Sequence, residues 1–155
     1  GDSLARVLAQ AEPLMRGSGM EGVPNVMNAA WGGMFTDETI GLCLSAGHKT
    51  TKDILATRAF TVSMATADQV TACDYAGLVS GNKVPDKFAR AGFHATRSTH
   101  VNAPLIDELP MALECELLSY LHLHPAVVGA FPVGVRSCSV SIPGRGAVCG
   151  CRFSG

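Results

Sequence analysis

The densest anion-binding chemistry in the chain lies between Ser45 and Ile54, which reads SAGHKTTKDI. Thr50 and Thr51 supply two adjacent hydroxyls, and His48, Lys49 and Lys52 stand beside them where a helix is expected to begin. The first amides of a helix lack intrahelical acceptors and sit at the positive end of its dipole. With hydroxyls and cations alongside, such a start suits a phosphate dianion. Plain N-capping by one threonine, with the lysines in solvent, is the alternative. It explains one Thr but not the whole group.

Three further stretches carry candidate groups. Asn25 to Gly33, NVMNAAWGG, holds the chain's single Trp and two Asn. Small residues beside Trp31 leave room for a planar ring, or equally for close packing of a core Trp. Ser80 to Phe88, SGNKVPDKF, offers a Ser-Gly turn followed by Lys83 and Lys87. These could meet a polar ligand edge, or form a solvated turn with an Asp86–Lys87 surface pair. His122 and His124 fall on one face of a strand by alternation. One of them could touch a ligand, while ordinary exposed histidines are the plainer reading. No nucleophile elbow, Walker loop or dinucleotide fingerprint is present. Asp107 and Glu108 point apart on a strand, and Glu114 with Glu116 is expected to face solvent. Paired-carboxylate catalysis is therefore disfavoured.

The elements that must position these groups are short. Thr39 to Ala46 alternates as a half-buried strand, Ala59 to Met64 does so again, and Met111 to about Leu121 is a third. Val127 to Phe131 is a further apolar run. Thr50 to Thr57 predicts a short helix with Ile54 and Leu55 inward. Ala67 to Val79 predicts another, with Val70, Cys73, Ala76 and Gly77 at helical spacing and Asp68 as its cap. Pro85 to Ala91 predicts a third. Leu4 to Leu14 could be a short helix, and Glu21 to Asn25 a turn leading into a strand. Helices this short do not serve as regular crossovers of a doubly wound sheet. A mainly antiparallel barrel with helical excursions fits better.

Composition sets the outer bounds. The 155 residues, 47% apolar and 16% charged, suit a single domain with a real core. A formal charge of −1 gives no general drive toward nucleic acid or an anionic membrane. No apolar run approaches a membrane span and no signal peptide opens the chain, so a cytoplasmic protein is expected. Six cysteines without a secretion signal argue against a disulfide framework, and Cys149-Gly150-Cys151 lacks zinc-site spacing. All 13 acidic residues precede position 132, whereas residues 132–155 contain three Arg and no acid.

Taken in order, these stretches resemble the flavin reductase-like family, the split-barrel FMN (flavin mononucleotide) proteins that include flavoredoxins. The resemblance rests on NVMNAAWGG at 25–33, GLCLSAGHKTTKDI at 41–54, AFTVSMA at 59–65 and CDYAGLVSGNKVPDKFARAGF at 73–93. It continues through VNAPLIDELPMALECELL at 101–118 to His124 and Gly129, and so spans roughly residues 22–131. It implies a mainly β fold, an FMN-binding split β-barrel of Greek-key type with short helical excursions.

The resemblance also implies roles. Asn25 and Trp31 would lie by the isoalloxazine, and Thr50, Thr51 and Lys52 would hold the phosphate. Lys87 and His124 would approach the cofactor from later elements. Asn28, Ser45, His48, Ser80 and Gly81 belong to the same implied site. Ala29 stands where the family often has Thr or Ser, so one hydroxyl contact would be absent. A homodimer with FMN near the subunit interface is implied, as is electron transfer from NAD(P)H or a reduced partner protein. No side chain need act as general acid or base. A non-catalytic electron carrier, and a site too altered at its ends to bind anything, are the rival readings. Beyond Phe131 the pattern PVGVRSCSVSIPGRGAVCGCRFSG departs from the family, and residues 1–20 match its opening strand poorly. A change of reading frame near Phe131 is the expectation there.

Overall fold

The computed structural model describes residues 6–11, 22–34, 39–124, 127–139 and 150–151. Its frame is an antiparallel sheet in which alternation and β-branched or apolar runs set the strands. The strands are β1 (Arg6–Ala11), β2 (Pro24–Ala29), β3 (Gly32–Met34), β4 (Thr39–Ser45) and β5 (Ala59–Met64). They continue with β6 (Ala95–Arg97), β7 (Pro104–Ile106), β8 (Met111–Leu117), β9 (Leu121–His124), β10 (Val127–Ser139) and β11 (Gly150–Cys151). The main sheet runs β2-β1-β5-β8-β10-β4-β3, with β9 and β11 also on β10, while β6 and β7 form a separate ribbon. The expected mainly β architecture is present. Among the described residues no ladder joins the two edges, β2 and β3.

Two expectations about the chain ends meet this sheet. The Leu4–Leu14 stretch does not form a helix over Arg6–Ala11. That segment is β1, paired with β2 on one side and β5 on the other. Two flanking ladders override the weak helical spacing of a short, apolar segment. Past Phe131, β10 continues to Ser139 and pairs Val133 with Ile40 of β4 and with Leu117 of β8. Residues 140–149 and 152–155, with Cys149, lie outside the described residues.

Helix α1 (Lys49–Thr57) ends at Arg58, whose φ of 58° places it in the left-handed region. Its guanidinium donates to Leu117 O at 2.7 Å and so fastens the helix end to β8. A 3₁₀ turn at Ala67–Gln69 precedes α2 (Val70–Leu78), and α3 spans Lys87–Arg90. The predicted Asp68 cap is replaced by a capping box in which Thr66 is the N-cap and Gln69 Oε1 accepts from Thr66 N–H at 3.0 Å. On α2, Cys73 and Ala76 are buried as expected, but Val70 and Gly77 are exposed. Burial raises the pKa of the Cys73 thiol.

Two apolar clusters sit on either side of β2. Phe60, Val62, Cys115 and Leu117 of the central strands pack with Ile40, Leu42, Leu44 and Ile54 in one. Val26, Cys73, Ala76, Phe88, Phe93 and Ile106 form the other, with Phe88 and Phe93 edge-to-face at a centroid distance of 5.8 Å. The second cluster holds α2 and α3 against β2.

Glu114 corrects a sequence expectation. It does not face solvent but is fully buried. The segment between β6 and β7 covers that face of β5 and β8. Thr61 Oγ1 donates to Pro104 O at 2.7 Å, and Glu114 accepts from the amides of Thr99 (3.3 Å) and His100 (2.6 Å). The ribbon is closed at its open end by Glu108, which accepts from His94 N and meets His94 Nδ1 at 2.5 Å. That hydrogen bond raises the imidazole pKa.

Candidate functional site

Three segments converge on an open cleft of about 150 Å³. Strand β2 contributes Asn25 and Met27, the start of α1 contributes His48, Lys49 and Thr50, and the α2–α3 junction contributes Gly77 to Gly81 and Lys87. The local causes are legible one by one. In β2 alternation turns Asn25 and Met27 to the side opposite Val26, which enters the helical cluster. Ser45 to His48 make a tight turn, with His48 N donating to Ser45 O at 3.2 Å, and α1 then begins. His48 is its N-cap and makes no side-chain cap hydrogen bond. The junction after α2 is bound to this turn, because Asn82 Nδ2 donates to Gly47 O at 3.0 Å.

Asn25 is the floor of the cleft. It is 2% exposed and donates through Nδ2 to Thr50 Oγ1 at 3.0 Å. Its Oδ1 is buried and has no partner among the described residues. A buried acceptor left unsatisfied costs free energy, so it is a ready place for a ligand donor. Gly81 approaches closely enough that a Cβ there would stand 2.5 Å from that same Oδ1 and 3.3 Å from Lys49 Cδ. The close approach is steric, and only glycine permits it.

Cations line the cleft unevenly. Lys49 Nζ is 3.2 Å from Asp53 Oδ1 along α1. Lys87 does not form the surface pair with Asp86 that adjacency suggested. Asp86 instead pairs with Arg90 at 2.7 Å, and Lys87 is buried. Its ammonium donates to Ala76 O at 3.0 Å and Val79 O at 2.8 Å. Burial pushes its pKa down to about 8.

The other sequence candidates divide. Asn25, His48, Thr50, Ser80, Gly81 and Lys87 line the cleft. Thr51 is buried and donates to Ser45 O at 2.7 Å, so the hydroxyl and Ser45 serve the turn, and neither lines the cleft. Lys52 points to solvent on α1. Asn28 donates to Cys73 O at 2.8 Å and fastens α2 to β2, and its Oδ1 is also buried without a partner. Ala29 belongs to the central core. Trp31 is neither a core residue nor a cleft residue. It is 75% exposed at the turn between β2 and β3, and its carbonyl accepts from Cys43 N. His124 lies on β9 opposite Val127 of β10.

Met27, Gly77, Leu78 and Val79 were missed as site residues. Met27 was within reach of sequence reasoning, since it shares a strand face with Asn25. The α2 residues carried no chemical signal. They enter the cleft because the helix ends there.

An antiparallel sheet whose edge strand meets a helix start and a lysine-lined cleft defines a β-sheet ligand-binding domain. The chain belongs to the flavin reductase like domain family, which matches it over residues 14–135. Among solved structures, the flavoredoxin of Desulfovibrio vulgaris (Miyazaki F) is 26% identical, with 95% of this chain and 87% of that one covered and a TM-score of 0.69. Flavoredoxin from Methanosarcina acetivorans is 24% identical, with 86% of this chain covered and a TM-score of 0.69, and this chain spans only 66% of its length. An FMN-binding protein from Thermus thermophilus shares the fold at 19% identity, with coverage of 86% and 69% and a TM-score of 0.68. A search of curated proteins finds no match.

Proposed function

We propose that the protein is an FMN-binding oxidoreductase of the flavin reductase and flavoredoxin type, taking electrons from NAD(P)H or a reduced partner. The observation that carries this reading is the unsatisfied, buried Asn25 Oδ1, closely approached by Gly81 beside the start of α1. FMN brings what these groups lack: hydrogen-bond donors for Asn25 and a phosphate dianion for a helix start with no side-chain cap. The family match and the FMN-binding relative support the same choice of cofactor.

In this reading bound FMN supplies the hydride and electron chemistry. The chain's own groups bind and orient. Asn25 sets the depth of the ligand, Thr50 fixes Asn25, and the start of α1, with Lys49 on the cleft and Lys52 on its outer side, favours an anionic ligand. A cleft of about 150 Å³ is smaller than the roughly 300–1,000 Å³ typical of sites that enclose a ligand of this class. Much of the cofactor would then lie outside it. Closure of the sheet as a split barrel and pairing in a homodimer, proposed here together, would cover the remainder along with Trp31 and Leu78. These are 75% and 78% exposed in the single chain. Light scattering tests the dimer: a particle of twice 16.1 kDa is expected, and a monomer at all concentrations removes this part of the proposal.

The deciding experiment is the visible spectrum of the purified protein with FMN, before and after NADH. Flavin absorbance that bleaches with NADH supports the enzyme. Bound flavin that bleaches only with a reduced partner protein supports the alternative, a non-catalytic carrier. No uptake of FMN overturns both. The phosphate assignment has its own test. Lys49→Met with Lys52→Ala should weaken FMN by about tenfold, the scale of one charge-assisted contact, and leave riboflavin nearly unchanged. Equal losses for the two ligands would contradict a phosphate at α1.

A further inference from the structure

Lys87 is 3% exposed, and both hydrogen bonds of its ammonium go to main-chain carbonyls rather than to a carboxylate. An ammonium removed from water is costly unless strongly partnered, so its location calls for a reason. The two acceptors, Ala76 O and Val79 O, belong to the end of α2. The last carbonyls of a helix lack intrahelical donors and carry the negative end of its dipole. Helix α2 has no basic residue in its own last turn. The cation comes instead from α3, across the loop.

The two carbonyls bracket Gly77 and Leu78, which line the cleft. From Val79 the chain runs directly into Ser80 and Gly81, where Ser80 O accepts from Lys83 N and Val84 N at 3.0 Å each. Gly81 then makes its close approach to Asn25. Asn82, donating to Gly47 O, ties the far end of this wall to the turn before α1. The wall is a short loop fastened by Lys87 on one side and by Asn82 on the other.

We propose that Lys87 is a positioning residue: by seating its ammonium on Ala76 O and Val79 O it fixes the Gly77–Gly81 wall against Asn25. It thereby sets how tightly the cleft holds its ligand without touching the ligand's phosphate. The ligand part rests on the FMN reading above, and the loop part does not.

The test uses the whole chain and two readouts. In ligand-free protein, Lys87→Met should speed amide hydrogen exchange at Val79 and Val84 by about tenfold, the scale of a lost charged hydrogen bond, while Phe60 and Val62 in β5 keep their protection. FMN and riboflavin affinities should fall together by a similar factor, and Lys87→Arg, which keeps a cation and donors, should recover most of both. If Lys87→Met does not fold, Lys87→Gln is read by the same criteria. Unchanged exchange at Val79 and Val84 overturns the proposal. So does a loss confined to FMN, which would make Lys87 a direct phosphate contact. If the wild-type protein takes up no FMN, the FMN reading fails, and the exchange measurement still decides whether Lys87 holds the wall.

Discussion

Gly81→Val is expected to abolish most flavin uptake. A Cβ at this position would stand 2.5 Å from Asn25 Oδ1, 3.2 Å from Asn25 Cγ and 3.3 Å from Lys49 Cδ. Asn25 cannot give way cheaply, because it is 2% exposed and its Nδ2 is bonded to Thr50. The loop must therefore move out, and it would carry Ser80 and Val79 away from the cleft with it. Overpacking of this kind costs about 1–3 kcal/mol, which corresponds to a loss of roughly 5- to 150-fold in affinity if it falls on the bound state. Gly33→Ala is the matched control, since a Cβ at Gly33 meets nothing within 4 Å. Fluorescence titration with FMN reads both variants. Equal affinity for the two would mean that the Asn25–Gly81 contact is not part of the binding site.

The second large effect is on stability. Glu114→Leu should destabilise the protein by about 2–4 kcal/mol, because two main-chain amides lose a charged, buried acceptor. Those amides, Thr99 and His100, anchor the segment that covers β5 and β8. Glu116→Gln, two residues along the same strand and only half-buried, should change stability by less than about 1 kcal/mol. Urea unfolding measures both. Similar losses from the two substitutions would refute a special role for Glu114. The Leu variant should also show faster exchange at His100, since the loop loses the carboxylate that holds it.

The same pair of glutamates marks where a single sequence stops informing. Alternation correctly puts Glu114 and Glu116 on one face of β8. It cannot tell whether that face is covered. Coverage depends on where residues 98–104 are laid down, and that is set by the ribbon clasp at His94 and Glu108 and by the Thr61–Pro104 hydrogen bond. Lys87 illustrates the same limit. Beside Asp86 in sequence it reads as a surface ion pair, yet the turn of α3 sends Asp86 to Arg90 and Lys87 inward to the end of α2. Trp31 has the residue type and small neighbours that suit a planar ring, yet it is 75% exposed and outside the cleft.

The features legible in the linear chain are local. Strand period fixed β4, β5 and β8, helix spacing fixed α1, and the run of hydroxyls and cations from His48 to Lys52 marked the helix start around which the cleft is built. These features depend on residues within a turn or two of one another, so a linear reading can carry them. Which groups meet depends on long-range packing. It brought Asn25 to Thr50 across 25 positions and Gly81 to Asn25 and Lys49, and turned Thr51 into the turn instead of the cleft. It also chose the α2 end as the opposite wall. Such contacts arise from how β2 is held between two apolar clusters, a long-range balance of burial that no short window of sequence encodes.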